Sequence, residues 1–338
     1  WIISGLFWFI YYPVGMMMIL SRQNTVNQVG GYTEAVSKGL LTEAAKGWLG
    51  SITNLGGLVF LVCVIAAVCA IQGFSYLYHK RKVDFYHSIP VKKSRRFAVI
   101  YLNGVLIFFL PYLVSLLLAM AVAGINGAMD GVNFGVAAVS RGCTGLLFLG
   151  IYGLAMIAVM LTGNLIITLF ATAIFVFYEP LVKVLLQAYC DSFYKYFAYQ
   201  SVKTHLYLSP VGQLIEGLEA ESFGDALPHI LAMAAIAAGF AAIAWFCYMK
   251  RPSEAAGKAM AFAKTKGVVK VLLVIPFALG IGYIIMDLIG ETPIAMMVFG
   301  MVMAVIIGSC TIEVIYEMDI RAVLRKKYQM LLSGAGVA

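Results

Sequence analysis

The sequence predicts an all-α polytopic membrane protein with about eight transmembrane helices, and three observations predict it. Hydrophobic residues fill 62% of the 338 positions and charged residues 12%, against about 45–50% and about 25% in ordinary soluble domains. Mean hydropathy is +0.92, more apolar surface than a soluble core of this length can hide. The apolar residues lie in continuous runs rather than in alternation, which argues for helices and against a β-barrel.

A helix needs about 20 apolar residues to cross the hydrocarbon core, with a range of roughly 17–25. On that ruler the spans fall near residues 1–20, 53–78, 97–123, 143–162, 165–188, 229–249, 271–288 and 293–315. Position 1 is Trp and Trp1–Leu20 is already apolar, with no cleavable signal pattern, so the chain is expected to begin inside its first span. The polar, Gly-rich stretch Ser21–Ser51 follows as a loop. Leu55–Tyr78 and Phe97–Ala123 flank the basic block His79–Arg96. Gly142–Tyr178 is too long for one helix and barely long enough for two, and Thr162-Gly163-Asn164 is its one turn-like break. The break makes spans four and five a hairpin.

Tyr189–His229 carries Tyr189, Phe193, Tyr194, Tyr196, Phe197, Tyr199 and Tyr207, a density of aromatic rings suited to the headgroup level. Pro210 and Gly212 divide this segment, so short interfacial or re-entrant helices are expected, or else a structured loop with no ligand role. Ser253–Lys266 spaces Ala256, Ala259, Met260 and Ala263 along one helical face, with Lys258 and Lys266 elsewhere; an amphipathic helix on the membrane surface is expected there. Asp319–Leu332 places Ile320, Val323, Leu324, Met330 and Leu331 among Arg321, Arg325, Lys326 and Lys327, as in a helix leaving the membrane. The chain thus divides into a core at 1–249 with loops at 21–51 and 189–229, a linker at 250–270, two further spans within 271–315 and a tail at 316–338.

Charge placement orients the spans. With eight spans and the amino end inside, residues 79–96, 250–270 and 316–338 face the cytoplasm and hold 17 of the 24 Lys/Arg, as the positive-inside rule requires. The remaining basic residues are Arg22, Lys38, Lys46, Arg141, Lys183, Lys195 and Lys203. Were 142–188 a single span, the block 250–270 would fall outside and the bias would largely vanish. The net charge of +8 therefore reads as topology and contact with anionic lipid, not as nucleic-acid binding. Both termini are therefore expected on the cytoplasmic side of the membrane.

Much chemistry is excluded. No GxxxxGK[ST] phosphate loop, HExxH or GxSxG elbow is present, and Gly257-Lys258 lacks the upstream glycine. His79, His87, His205 and His229 are not at metal-ligand spacing. Cys63, Cys69, Cys143, Cys190, Cys247 and Cys310 form no CxxC and mostly sit in apolar runs, so they read as small embedded hydrophobes. No catalytic residue, metal or bound cofactor is expected in this chain.

Ionisable residues in spans are few and near their ends: Glu179 before Pro180, Asp287, and Glu313 with Glu317. They read as end-of-helix solvation and local ion pairing, with Arg321 in reach of the last two. No mid-membrane set of the kind proton-driven carriers use is visible. Ala234, Ala238 and Ala242, beside Ala235 and Gly239, and separately Gly300, Ala304 and Gly308, space small residues four apart. Such stripes let helices approach closely, within one chain or between two copies. Pro111 and Pro276 can kink the third and seventh spans.

The block HKRKVDFYHSIPVKKSRR packs seven Lys/Arg and two His between two spans. Its segment Arg81-Lys82-Val83-Asp84-Phe85-Tyr86-His87-Ser88-Ile89-Pro90-Val91-Lys92-Lys93 resembles a pattern in bacterial ABC-2 type permeases, the membrane subunits of ATP-binding cassette exporters. The similarity is greatest to Firmicute permeases of the multidrug or acetoin-utilisation kind. Residues 1–249 resemble that family's plan: a long outer loop after the first span, a coupling helix between the second and third, and short outer helices between the fifth and sixth. Glu313-Val314-Ile315-Tyr316-Glu317-Met318-Asp319-Ile320-Arg321 also resembles the region after the last span in such permeases. Spans seven and eight exceed the six-helix core.

The resemblance implies a permease, not an enzyme, that acts with a separate ATPase subunit holding ATP and Mg²⁺, and with a second permease chain, identical or paralogous. Asp84 is then expected to cap a short helix over Phe85–Ile89, which Pro90 ends. Phe85, Tyr86 and Ile89, with Asp84, His87, Ser88 and Pro90, would meet a groove on the ATPase. Lys80, Arg81, Lys82, Lys92, Lys93, Arg95 and Arg96 would hold the loop to lipid headgroups and to acidic groups on the partner. The transported substrate is not encoded in any motif. The competing readings are an ion-coupled secondary carrier, and a membrane scaffold or sensor whose basic loop recruits a regulator.

Overall fold

A computed structural model describes residues 1–50, 55–129, 134–193, 208–219, 223–262, 265–289, 294–317 and 333–335. The described residues form twelve α-helices: α1 Ile2–Phe9, α2 Gly15–Gly30, α3 Glu34–Gly50, α4 Leu55–Gly73, α5 Lys80–Ser88, α6 Lys93–Ile125, α7 Phe134–Leu161, α8 Leu165–Phe193, α9 Pro210–Glu219, α10 Phe223–Lys250, α11 Lys266–Ile289 and α12 Ile294–Glu317. Among the described residues there is no strand, apart from one isolated bridge between Thr162 and Met260. Among the described residues, eight helical stretches are long and apolar enough to cross a membrane: Ile2–Gly30, Gly56–Gly73, Lys93–Ile125, Ala137–Leu161, Leu165–Phe193, Ala226–Lys250, Lys266–Leu288 and Ile294–Glu317. The protein is an all-α, multi-pass membrane protein.

Local chemistry accounts for the helix ends. α1 and α2 join into one span through a wide π turn at Ile10–Val14 that contains Pro13, whose missing N–H and ring a tighter turn would not accommodate. α2 stops at Gly31, which takes a left-handed φ of 62°, a conformation only glycine adopts without penalty. Pro210 opens α9, where its absent N–H costs no intrahelical bond. Pro111 and Pro276 lie inside the continuous helices α6 and α11.

Three expectations are corrected. Ser21–Ser51 is not an open loop: its described residues continue α2 to Gly30 and build α3. The described residues of Ser253–Lys266 do not form an amphipathic helix, and Ala263 lies outside them. A 3-10 turn covers Ser253–Ala255 and Gly257 takes a φ of 81°, and the apolar residues of this strap are buried on both sides of that glycine rather than along one face. The short helix of the basic block starts at Lys80, four residues before the expected cap, so Asp84 sits in its interior. Its N-cap His79 makes no side-chain capping bond. The expected tail helix at Asp319–Leu332, the rings of Tyr194, Tyr196, Phe197, Tyr199 and Tyr207, and His205 lie outside the described residues.

The chain forms two compact units. The first comprises Trp1–Phe74, Val91–Met156 and Pro210–Trp245. Its core is a column of rings from α1, the π turn, α6 and α7. Trp8 stacks on Tyr12 at 5.5 Å, Phe108 on Phe148 at 3.8 Å, and Phe148 on Tyr152 at 5.4 Å. Gly104 makes room for the column, because a Cβ there would overlap the Tyr152 hydroxyl. Arg141, 4% exposed, sits on α7 beside this column. It donates to the Tyr12 hydroxyl at 3.0 Å and to the Trp48 carbonyl of α3 at 2.7 Å, and its guanidinium lies 5.3 Å from the centre of the Tyr12 ring. Residue 141, named by sequence only among the basic residues outside the cytoplasmic segments, is thus a buried fastener for α3.

The second unit comprises Ser75–Pro90, Ile157–Ser209 and Phe246–Ala338. α11 and α12 form its antiparallel hairpin. Val274, Ala278, Ala304 and Val305 make their shared core, and Gly300 and Gly308 face Ile285 and Phe277 of α11. The small residues of the eighth span therefore serve packing within this chain. In the sixth span, Ala234 is half-buried, Ala238 and Ala242 are exposed, and a Cβ on Gly239 would meet nothing.

Candidate coupling face

α5 forms because Lys80–Ser88 is free of proline and glycine, and it ends where Ile89 turns extended (ψ 131°) ahead of Pro90, the conformation proline imposes on its predecessor. The Ser88 hydroxyl closes the last turn on the Phe85 carbonyl at 2.7 Å. One side of the helix is anchored: Val83 is 2% exposed, and Tyr86, three residues on and itself 38% exposed, rests one face of its ring against Tyr76 with ring centres 4.5 Å apart. The other side is open. Phe85 is 65% exposed and Ile89, four residues later on the same face, 37%. Lys80, Arg81, Lys82, Asp84, His87 and Pro90 are exposed around them. In the first unit Lys92, Lys93 and Arg95 are exposed and Arg96, at the start of α6, is buried. The result is a small apolar patch in a strongly basic surround.

Behind α5 the second unit builds a buried polar junction. The hydroxyls of Tyr76 and Tyr248 are 2.8 Å apart, linking the 3-10 turn Ser75–Tyr78 to the end of α10. Arg251, 7% exposed, donates to the Val159 carbonyl at 2.6 Å, the Met160 carbonyl at 2.7 Å and the Leu77 carbonyl at 3.5 Å. Val159 and Met160 belong to the last turn of α7, whose carbonyls have no partner within the helix and whose dipole ends negative; a guanidinium suits both needs. Burial pushes Arg251 down to about 10, so it stays charged at neutral pH.

The strap that follows wraps the α7–α8 turn. Gly257 donates to the Gly163 carbonyl at 2.8 Å and Ala261 to the Leu161 carbonyl at 2.7 Å. A side chain at Gly163 would overlap the carbonyls of Ala255 and Lys258. Thr162 and Thr168 close the turn with a hydroxyl pair 2.6 Å apart. Ala259 and Met260 pack on Tyr316, near the end of α12. Residues 75–90, 157–168, 251–261 and the end of α12 thus gather at one end of the second unit. That placement needs an even number of spans between each pair of segments, and it agrees with the hairpin read from Thr162-Gly163-Asn164.

Lys270 of α11 pairs with Glu313 of α12 at 2.8 Å, with 3% and 2% of their side chains exposed, and Lys266 pairs with Glu317 at 3.6 Å. Glu179 pairs with Lys183 one turn along α8. Among the described residues, no cluster of His, Cys, Asp or Glu is fit to hold a metal.

Sequence reading singled out Phe85, Tyr86, Ile89 and Pro90, which the structure places on and just after α5, and did not single out Tyr76, Tyr248, Arg251 or Lys270. Arg251 and Lys270 were allotted to a polar segment because a hydropathy window closes at a charge. A signal was present for Lys270: it lies four residues from the start of α11 and Glu313 four from the end of α12, equal depths in an antiparallel hairpin. For Arg251 only the three-dimensional fold brings the carbonyls together. No family model, characterised protein or solved structure matches this chain.

Proposed function

We propose that this chain is the permease subunit of an ABC-2 type exporter in a bacterial cytoplasmic membrane, with both termini and α5 on the cytoplasmic side. The observation that carries the reading is Phe85, largely exposed on a short helix that is itself held from behind by Val83 and Tyr86. An exposed aromatic on a fixed mount offers a partner a rigid anchor. The surrounding Lys and Arg residues suit lipid headgroups and an acidic rim. The partner is an ATPase subunit that holds ATP and Mg²⁺, and closure of two such subunits would push on α5. A second permease chain, a copy or a paralogue, completes the pathway.

The test is a photo-crosslinking residue placed at Phe85 in the full chain in its native cells. The reading requires an adduct with a Walker-motif ATPase, identified by mass spectrometry. Adducts with lipid alone, or with a non-ATPase regulator, overturn it and favour a scaffold. The buried Lys270–Glu313 pair favours an ion-coupled carrier instead. Transport by the purified chain in vesicles, driven by an ion gradient without ATP, would establish that alternative.

A further inference from the structure

α5 is joined by sequence to the second and third spans, yet its fastenings inside the second unit lead elsewhere. Tyr86 leans on Tyr76, and Tyr76 shares a buried hydroxyl–hydroxyl bond with Tyr248 in the last turn of α10. One residue beyond α10, Arg251 clamps Leu77, just ahead of α5, together with Val159 and Met160 of α7. Hydrogen bonds in buried surroundings hold a fixed geometry, because any displacement leaves polar atoms without partners. The mount of α5 is therefore stiffer toward the ends of α10 and α7 than a chain connection alone would make it.

We infer that Tyr248 and Arg251 are positioning residues that pass movement of α5 into the sixth span, and through the Val159 and Met160 carbonyls into the fourth. Neither residue belongs to the apolar patch that meets the partner. The inference rests on α5 being the ATPase-docking helix, and its test separates the two claims.

The variants are Tyr248→Phe, which removes only the hydroxyl, and Arg251→Lys, which keeps the charge but loses the fork that reaches three carbonyls. Each is made in the full chain and purified in micelles for hydrogen exchange. Amides of residues 75–90 are expected to exchange at least about tenfold faster than in the parent, with α11 and α12 unchanged. With the ATPase captured at Phe85, each variant is expected to retain binding within about twofold and to lose at least about fivefold of permease-stimulated ATP hydrolysis. Exchange of 75–90 at the parent rate overturns the inference, as does full stimulation despite faster exchange. Faster exchange in a chain that captures no ATPase leaves the fastening established and overturns the docking reading together with the transmission built on it. Restoration of both slow exchange and stimulation by Tyr248→Gln, which returns a polar partner to Tyr76, would support the hydroxyl's role specifically.

Discussion

Lys270 Nζ lies 2.8 Å from Glu313 Oε2 across the α11–α12 hairpin, with almost none of either side chain exposed. Their mutual attraction is offset by the cost of taking both charges out of water, so such a pair fixes the register of two helices more than it adds net stability. Lys270→Met strands the glutamate and is expected to cost about 3–5 kcal/mol, whereas Lys270→Met with Glu313→Leu recovers most of that loss. Thermal unfolding in micelles of the single and double variants measures both. A single variant as stable as the parent would show that the charges are not held together.

Gly163 and Gly239 should respond in opposite directions to the same change. A Cβ at 163 overlaps the strap carbonyls, while one at 239 meets nothing. Gly163→Ala is expected to destabilise by about 3 kcal/mol through overpacking, and to raise protease sensitivity within 251–261. Gly239→Ala is expected to be neutral or to stabilise α10 by up to about 1 kcal/mol.

Arg141 tests the first unit. Arg141→Lys retains the charge but cannot reach both the Tyr12 hydroxyl and the Trp48 carbonyl. Loss of a charge-assisted bond predicts a destabilisation of about 1.5–3 kcal/mol. The effect should appear as faster hydrogen exchange in α3, with α11 and α12 unaffected, because the lost bond is the one that fastens Trp48.

Phe85 and Tyr86, adjacent in sequence, should separate function from stability. Phe85 is exposed, so Phe85→Ala is expected to change stability by less than about 0.5 kcal/mol and to lower ATPase capture by about tenfold or more. Tyr86 packs on Tyr76, so Tyr86→Ala is expected to lower stability by about 1 kcal/mol through the lost ring contact. Thermal unfolding and co-purification, run side by side, distinguish the two outcomes.

All eight spans were legible because a hydrocarbon core imposes a length and a composition that a single sequence displays. The short helix at the basic block was legible through Pro90, but its start was not, since no side chain at His79 announces a cap. Ser253–Lys266 misled for a physical reason. Its alanines satisfy a helical spacing, yet Gly257 turns the backbone and the α7–α8 turn offers carbonyls for amides to meet. Tertiary hydrogen bonds there outweigh helix propensity, which is worth less than about 1 kcal/mol per residue. Tyr76–Tyr248 and Arg251–Val159 join positions 172 and 92 residues apart, a separation at which one sequence carries no signal.

The strap bears on the order in which the molecule is made. Residues 161–163 emerge during synthesis well before residues 257 and 261, whose amides meet their carbonyls, and the sixth span must be laid down in between. Until then the end of α7 and the turn after it have no lid, and Tyr76 waits for Tyr248. A chain truncated before Tyr248 cannot form the Tyr76–Tyr248 bond behind α5. Only a chain that extends past Ala261 can form both the Tyr76–Tyr248 bond and the contacts of the strap with the α7–α8 turn.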